Sequence, residues 1–217
     1  MSTLAVLPVK RFELAKQRLS ADLEPAVRRR LAEAMVSDVL AALTVCGSID
    51  ATLVVTNEPR VLELAADCGA RTARDPEESG QSAAAQVGIQ LALAEDFKRV
   101  LLVPGDCPAL DPAELDELLG ADAGAAPNVV IVPDRHRTGT NALLLDPPDA
   151  IAPTFGPGSF RRHRDRAFAV GAEAQVRELA SLLLDVDTPR DLEALREALD
   201  ARAGHASRTR AVLSGLP

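Results

Sequence analysis

The chain has 217 residues, and its 24 Lys and Arg residues against 32 Asp and Glu residues give a formal charge of −8 at pH 7. This length fits one globular domain, with two as the alternative. The acidic balance argues against a non-specific nucleic-acid binder but leaves room for a local basic pocket that binds a small anion. With 2% aromatic residues and neither Trp nor Tyr, a stacking platform for single-stranded nucleic acid is excluded as well.

The cysteines and the apolar runs indicate where such a protein would work. Cys46, Cys68 and Cys107 are an odd number without CxxC spacing, so neither a disulfide framework nor a structural zinc site follows from them. No apolar run approaches the roughly 20 residues of a membrane span. Charged residues also come too early for the apolar stretch of a signal peptide. We therefore expect a cytoplasmic protein that makes no membrane contact.

Short apolar runs alternate with helical patterns, which is typical of βα units around a largely parallel sheet. Runs of Val and Leu without polar alternation predict strands that are covered on both faces. Five strands are predicted at Leu4–Val9, Ala51–Thr56, Arg99–Asp106, Asn128–Pro133 and Asn141–Leu145. Two further candidates are Ala167–Val170 and Ser181–Asp187.

Apolar residues at helical spacing predict helices over Pro25–Leu43, Pro59–Cys68 and Ser82–Ala94. Asp111-Pro112 and Thr188-Pro189 predict two more helix starts, each with a capping residue before a proline. After Ala201 the apolar pattern ends. We therefore expect one α/β domain over residues 1–200, with a mostly parallel mixed sheet flanked by helices, and a flexible C-terminal tail over residues 201–217.

A basic segment follows the first predicted strand. It holds Lys10, Arg11, Lys16 and Arg18 within nine positions. Ligands of open α/β sheets bind beyond the carboxyl ends of the strands, so these cations suit a polyphosphate and could stabilise charge in phosphoryl or nucleotidyl transfer. A solvated basic face is an alternative of about equal weight. Neither GxxxxGKS nor GxGxxG follows the strand, which argues against a P-loop and a dinucleotide-binding domain.

Three aspartates follow predicted strands. Asp106 comes directly after a buried strand and Pro104-Gly105, where it could hold Mg²⁺ or cap the turn. Asp185 and Asp187 alternate along a predicted strand end, so we expect one of them to point into a shared site. Asp191, three residues after Thr188, fits helix-start chemistry instead.

Two loops offer short polar groups for a second ligand. Thr140 and Asn141 follow a loop in which Gly139 would let the backbone approach a ligand closely. Gly156 and Ser159 belong to a Gly-Pro-Gly-Ser turn before a basic helix, which could form an anion cradle or an ordinary surface turn. We interpret Cys107 as a packing residue, because no His partner is identifiable for it. We interpret His163 as an orienting or surface residue rather than a metal ligand, because no second His lies nearby in the sequence.

Five segments, taken together and in this order, resemble the 2-phospho-L-lactate or phosphoenolpyruvate guanylyltransferase family. They are PVKRFELAKQRLS, PGDCPAL, DRHRTGTNALLL, FGPGSFRRH and LLLDVDTPRDL. The resemblance extends from about Leu4 to Leu195 and implies a nucleotide-diphospho-sugar transferase-like fold. It also implies the transfer of GMP from GTP to a three-carbon phosphorylated acid, with release of diphosphate, in the biosynthesis of the deazaflavin coenzyme F-420.

The resemblance also implies roles for matching residues. Catalysis would rest on Lys10, Lys16 and Asp106, and Mg²⁺ on Asp106 with Asp187 or Asp185. The nucleotide would contact Lys10, Arg11, Lys16, Arg18, Gly80 and Ser82. The acid would contact Thr140, Asn141, Gly156 and Ser159. Family members commonly carry Gly-Leu-Asn where this chain has Gly80-Gln81-Ser82, which weakens the expectation of strict guanine preference.

Several alternatives stay open from the sequence. The acceptor could be phosphoenolpyruvate, favoured by analogy with bacterial members, or 2-phospho-L-lactate. A same-fold nucleotidyltransferase would instead use a molybdopterin or a sugar phosphate, although the Gly-rich LAGG-type loop of such enzymes is absent here. A non-catalytic nucleotide-binding domain is the third possibility. The oligomeric state is undetermined, with a homodimer as one candidate.

Overall fold

The computed structural model of the chain describes residues 1–75, 78–121, 127–172, 174–201 and 204–216. Within these residues, seven strands form one mixed sheet in the order β3-β2-β1-β4-β6-β5-β7. Strand β6 is antiparallel to both of its neighbours, and the other pairs are parallel. The strands are β1 (Thr3–Val9), β2 (Ala51–Thr56), β3 (Arg71–Ala73), β4 (Arg99–Leu102), β5 (Asn128–Pro133), β6 (Thr140–Asp146) and β7 (Ala174–Val176).

Helices connect the strands and cover the sheet. They are α1 (Pro25–Val45), α2 (Pro59–Asp67), α3 (Gln81–Ala94), α4 (Pro112–Gly120), α5 (Ser159–Ala169), α6 (Pro189–Ala201) and α7 (Ser207–Leu213). Single 3₁₀ turns lie at Phe12–Leu14, Gln17–Leu19 and Ala180–Leu182. None of the helices in the described ranges is both long and apolar enough to cross a membrane.

The core lies on both faces of the sheet. Along β1, Ala5 and Leu7 pack into the cluster beneath α1, whereas Leu4 and Val6 pack into the cluster beneath α3. All four side chains are at most 1% exposed. This confirms the prediction, from unbroken Val and Leu runs, of strands covered on both sides.

The predicted helix starts are confirmed by their caps. The Asp111 carboxylate accepts a hydrogen bond from the Ala113 N–H at 2.9 Å at the start of α4. At the start of α6, the Thr188 N–H donates to the Asp191 carboxylate at 2.6 Å, and the Asp191 N–H donates back to Thr188 Oγ1 at 3.4 Å. Asp191 therefore has the helix-start role that its spacing from Thr188 indicated.

Two predicted strands are wrong. Ala167–Val170 falls at the end of α5, where Ser159, His163 and Ala167 form the buried face at helical spacing. Ser181–Asp187 forms a 3₁₀ turn and irregular chain, because Leu182 and Val186 bury in two different clusters rather than on one sheet face. The predicted strand from Arg99 stops at Leu102, and the three-residue strands β3 and β7 were not predicted.

The predicted C-terminal tail is also wrong over residues 204–216. Helix α7 buries Thr209 and Leu213. Asp38 of α1 accepts hydrogen bonds from the Arg208 and Thr209 N–H groups at 3.3 and 2.8 Å, which caps the start of α7. The partner that fixes this segment lies about 170 positions earlier in the chain, so local sequence pattern could not reveal it.

Candidate active site

A cavity of about 300 Å³ opens beyond the carboxyl ends of β1, β2 and β4. These strands are parallel, so the segments that leave them meet at one edge of the sheet. Its apolar floor includes Phe12, Ala15 and Met35. Its polar lining is made by Lys10, Arg11, Lys16, Asn57, Asp75, Glu78, Gly80, Gln81, Asp106 and Asp187.

Lys16 is the central cation of the cavity. It stands between two 3₁₀ turns in the left-handed backbone region, at φ 53°, and its side chain is only 7% exposed. Its Nζ donates to Asp106 Oδ2 at 2.7 Å and to Asp187 Oδ1 at 3.4 Å. Burial lowers the pKa of Lys16, but the carboxylates of Asp106 and Asp187 outweigh it and the net pKa is raised. Lys16 is therefore an ammonium ion shared by two carboxylates.

Asp185 is the third carboxylate of this region, and the charges of Asp106 and Asp187 act on it. Asn141 Nδ2 donates to Asp185 Oδ1 at 3.2 Å and to the Leu182 carbonyl at 2.7 Å. Burial first, and then the charge of Asp106, raises the pKa of Asp185. We call Asp106, Asp185 and Asp187 together with Lys16 the carboxylate–lysine cluster.

Carboxylate oxygens are the donors that a hard divalent cation prefers, so the chemistry of this cluster fits Mg²⁺. The arrangement differs from a formed metal site, however. Asp106 and Asp187 face the Lys16 ammonium, and Asp185 faces the Asn141 amide. No group of three or more His, Cys, Asp or Glu side chains in the described part of the chain is placed to hold a metal ion.

The other predicted cations occupy different positions. Lys10 and Arg11 line the cavity, and Arg11 Nε donates to Glu78 at 2.9 Å across its mouth. Glu78 also accepts from Asn57 Nδ2 at 2.8 Å, and the hydrogen bond from Arg11 is the main cause of a lowered Glu78 pKa. Arg18 lies outside the lining, with a 68% exposed side chain at 3.5 Å from Asp187.

Gly80 and Ser82 lie in different surroundings, since only Gly80 lines the cavity. Gly80, at φ 110°, precedes α3 and lines the cavity. Ser82 does not line it, and its hydroxyl instead accepts a hydrogen bond from the Phe155 N–H at 2.8 Å. Ser82 thus ties the start of α3 to the loop before α5.

A second cluster surrounds His163, which is fully buried. The Thr154 N–H donates to His163 Nε2 at 2.9 Å, so the ring proton is on Nδ1, which lies 3.0 Å from Thr140 Oγ1. The Ser159 hydroxyl donates to the same Thr140 oxygen at 3.3 Å. Burial lowers the pKa of His163 to about 4, so the ring is neutral at pH 7. We call Thr140, Thr154, Ser159 and His163 the hydroxyl–histidine cluster.

The predicted acid-binding residues meet around this cluster. Thr140, Asn141 and Ser159 are at most 6% exposed. Gly156 is exposed at φ 99°, and its carbonyl accepts from the Ser159 N–H at 3.0 Å. Through Asn141 and Asp185, this group is connected to the carboxylate–lysine cluster.

The structure also shows the surroundings of Gly139 and Cys107. The close approach that Gly139 allows is to Asp134, because a Cβ at this position would lie 2.8 Å from Asp134 Oδ2. The packing of Asp134 is therefore sufficient to require glycine at this position. Cys107 is fully buried in the core, and burial raises the pKa of its thiol. This agrees with a packing role.

Sequence reasoning missed two residues at the mouth of the cavity. Asn57 directly follows the carboxyl end of β2, so the strand-end rule that identified Lys10 and Asp106 would also have found it. Glu78 carries no such signal, because it reaches Arg11 from a loop 67 positions away.

This fold, a mixed sheet with a cavity at its carboxyl edge, is nucleotidyltransferase-like, and solved structures share it. A protein proposed to be a nucleotide-diphospho-sugar transferase from Desulfovibrio desulfuricans G20 superposes with a TM-score of 0.78 at 18% identity, over 99% of this chain and 95% of the other. A nucleotidyl transferase from Methanothermobacter thermautotrophicus gives 0.65 at 22% identity, over 90% and 96%.

The chain belongs to the family described as Guanylyl transferase CofC like, which matches residues 3–203. It is 48% identical to the phosphoenolpyruvate guanylyltransferase of Conexibacter woesei over all of this chain and 97% of that protein. It is 36% identical to the 2-phospho-L-lactate guanylyltransferase of Methanothermobacter thermautotrophicus over 88% of this chain and 83% of that protein. The chain is therefore an enzyme of the nucleotidyltransferase class, as the resemblance of its motifs implied.

Proposed function

We propose that this enzyme transfers GMP from GTP to phosphoenolpyruvate and releases diphosphate, with 2-phospho-L-lactate as the alternative acceptor. The reaction would serve biosynthesis of coenzyme F-420. The observation that carries the proposal is the cavity in which Lys10, Arg11 and Lys16 lie beside Asp106 and Asp187, in a chain of the guanylyl transferase family. Phosphoenolpyruvate is preferred because the relative named for it is 48% identical, against 36% for the relative named for 2-phospho-L-lactate.

The nucleotide would bind in the cavity with its phosphates toward Lys10 and Lys16. These cations offset the charge of the triphosphate and the charge that develops as the bond to diphosphate breaks. An oxygen of the acceptor phosphate attacks the α-phosphorus, and the oxygen that bridges the α- and β-phosphorus leaves with its electron pair on diphosphate. The acceptor phosphate is already an anion near neutral pH, so no general base is needed. The protein's main task is then to bring two anions together in line.

Asp106 and Asp187, with Asp185 as the third carboxylate of this region, would hold Mg²⁺. When bound, the metal would neutralise phosphate charge and orient the reacting groups. Before any ligand binds, Lys16 holds Asp106 and Asp187 near each other, because its Nζ contacts both of them. Asn141 would hold Asp185 through their 3.2 Å hydrogen bond.

The acid would bind on the side of the hydroxyl–histidine cluster. Support comes from Asn141, which follows Thr140 on β6 and reaches Asp185, so an acid at this cluster would lie next to the carboxylates. The Gly156 turn and Ser159 stand at the start of α5, where the positive end of the helix dipole favours an anion.

The experiment that tests this function is a panel of the four common ribonucleoside triphosphates against phosphoenolpyruvate, 2-phospho-L-lactate and 3-phosphoglycerate, with diphosphate release as the readout. We expect release with GTP and phosphoenolpyruvate, and little release without an acceptor. Faster turnover of 2-phospho-L-lactate would overturn the choice of acid. Release with none of the three acids would overturn the proposed function, and comparable use of another nucleotide would overturn the guanine preference.

A further inference from the structure

The two carboxylates proposed to hold the metal are already bound to a cation. Lys16 Nζ lies 2.7 Å from Asp106 Oδ2 and 3.4 Å from Asp187 Oδ1. The side chain of Lys16 is 7% exposed, whereas those of Asp106 and Asp187 are 28% and 45% exposed. The ammonium is thus the buried member of the group, and the carboxylates are its accessible members.

A divalent cation and the ammonium would compete for these oxygens. Two cations about 4 Å apart near a protein surface repel by several kcal/mol, and a double charge increases that repulsion. Burial keeps Lys16 from leaving into bulk water. Lys16 also lines the cavity, so the partner that can attract its Nζ away from the carboxylates is an anion bound in that cavity.

We propose that Lys16 is an internal counter-ion that keeps Asp106 and Asp187 from taking a divalent cation until a polyphosphate occupies the cavity. The phosphates of the nucleotide then form the ion pair with the Lys16 ammonium, and Asp106 and Asp187 are free to bind the metal. The free enzyme binds the metal weakly, and metal and nucleotide bind with positive cooperativity. The inference rests on the proposed function for the identity of the anion.

The neighbouring cations do not share this geometry and serve as controls. Lys10 lines the same cavity, but it is exposed and, within the described residues, forms no hydrogen bond or ion pair with either aspartate. Arg18 reaches only Asp187, at 3.5 Å, from a 68% exposed side chain. Lys16→Met removes the shared charge but keeps a long stem and a residue other than glycine at φ 53°, so the backbone cost is matched.

The test is a titration of the nucleotide-free, full-length protein with Mn²⁺, which prefers similar oxygen ligands to Mg²⁺. Free Mn²⁺ is measured by electron paramagnetic resonance. We expect Lys16→Met to bind Mn²⁺ at least about tenfold more tightly than the wild type, because the competing charge is gone. Lys10→Met should change the affinity by less than about threefold, since an exposed charge is screened.

Two further variants control for the charge of residue 16 and for a folding defect. Lys16→Arg keeps the charge and should bind Mn²⁺ as weakly as the wild type. Lys16→Gln replaces Lys16→Met if thermal unfolding shows that the methionine variant is not folded. Equal or weaker Mn²⁺ binding without the lysine charge would overturn the inference, because Lys16 would then only order the carboxylates. An equal gain of Mn²⁺ affinity in Lys10→Met would also overturn the inference, because the gain would then come from the change of net charge and not from the position of Lys16.

This titration contains no substrate, so its outcome is separate from that of the nucleotide panel. Tight Mn²⁺ binding by Lys16→Met together with no diphosphate release by the wild type would keep the counter-ion role and reject the proposed function. Unchanged Mn²⁺ binding by Lys16→Met together with normal diphosphate release by the wild type would reject the counter-ion role and keep the proposed function.

Discussion

The carboxylate–lysine cluster and the hydroxyl–histidine cluster are held together by different forces. In the first, an ammonium ion lies between two partly exposed carboxylates at the wall of a cavity. In the second, a neutral imidazole, two hydroxyl groups and a backbone N–H satisfy one another in the interior. Charges at a cavity can exchange partners with incoming ions, whereas the buried hydrogen bonds of a neutral imidazole are costly to break. We therefore expect the first cluster to rearrange during turnover and the imidazole of the second to act as a fixed support.

The largest expected effect is a loss of turnover on substitution of Asp106. Asp106→Asn keeps the shape but removes an anionic ligand, so turnover should fall at least about a hundredfold, or about 2.7 kcal/mol in the barrier. The thermal midpoint without metal should change little, because Lys16 keeps its contact with Asp187. Steady-state kinetics at several Mg²⁺ concentrations check this, with Asp165→Asn on the exposed side of α5 as the control. Near-normal turnover at limiting Mg²⁺ would leave Asp106 as a structural residue only.

The next effect concerns the acid and Ser159. Ser159→Ala removes one hydroxyl from the proposed anion site. This hydroxyl donates to Thr140 in the structure, and turning it to the charged acid would contribute about 1.5–3 kcal/mol of binding. The KM for the acceptor should rise about ten- to a hundredfold, while the KM for GTP stays nearly constant. Ser20→Ala, at an exposed position outside both clusters, is the control. An equal rise in both KM values would show that the two substrates have been divided wrongly between the clusters.

A pH effect on stability should come from His163. Its pKa of about 4 in the fold lies below its ordinary value of 6.5, so between these pH values the unfolded chain binds the proton more readily. Stability is therefore lost as pH falls from 6.5 toward 4, and His163 should account for about 2 kcal/mol of loss by pH 5.

Urea unfolding at pH 7 and pH 5 measures this contribution. His163→Gln should lose less stability than the wild type on acidification, whereas His136→Gln, at an exposed position, should follow the wild type. If the wild type and His163→Gln lose the same stability, the ring is not held neutral by the fold.

The smallest effect is expected at the mouth of the cavity. The Arg11 and Glu78 side chains are 45% and 40% exposed, and exposed ion pairs contribute little to stability. Glu78→Gln removes a negative charge near the nucleotide and releases Arg11, so the KM for GTP should fall by about twofold to threefold. Asp96→Asn, remote from the cavity and 87% exposed, is the control. A higher KM for GTP would mean that Glu78 itself contacts the nucleotide.

The sequence predicts the two clusters unequally well. Lys16 and Asp106 were identifiable because each lies in the segment that leaves a recognisable buried strand, and parallel strands deliver such segments to one edge. Asp187 was found for a partly wrong reason, since no strand precedes it and Asp191 instead fixes its backbone through the Asp187 N–H at 3.0 Å. The role of Ser82 could not be read from the sequence, because its partner Phe155 lies 73 positions away.

The same distinction holds for the fold. Long apolar runs and proline-marked helix starts specify their own structure, so β1, β2, β5, α4 and α6 were predicted from local pattern. Strand β7 and helix α7 depend on contacts with remote elements, β5 for the strand and Asp38 of α1 for the helix. Their local patterns are too short or too sparse to predict them.

The transfer of a guanylyl group is tested most directly by following its phosphorus. GTP carrying a radioactive α-phosphorus is incubated with the enzyme, Mg²⁺ and phosphoenolpyruvate, and a parallel reaction uses GTP labelled at the γ-phosphorus. We expect the α-label in a new product that also contains the acid, and the γ-label in diphosphate. Recovery of the γ-label in the acid product, or of the α-label only in free guanine nucleotides, would contradict nucleotidyl transfer to this acceptor.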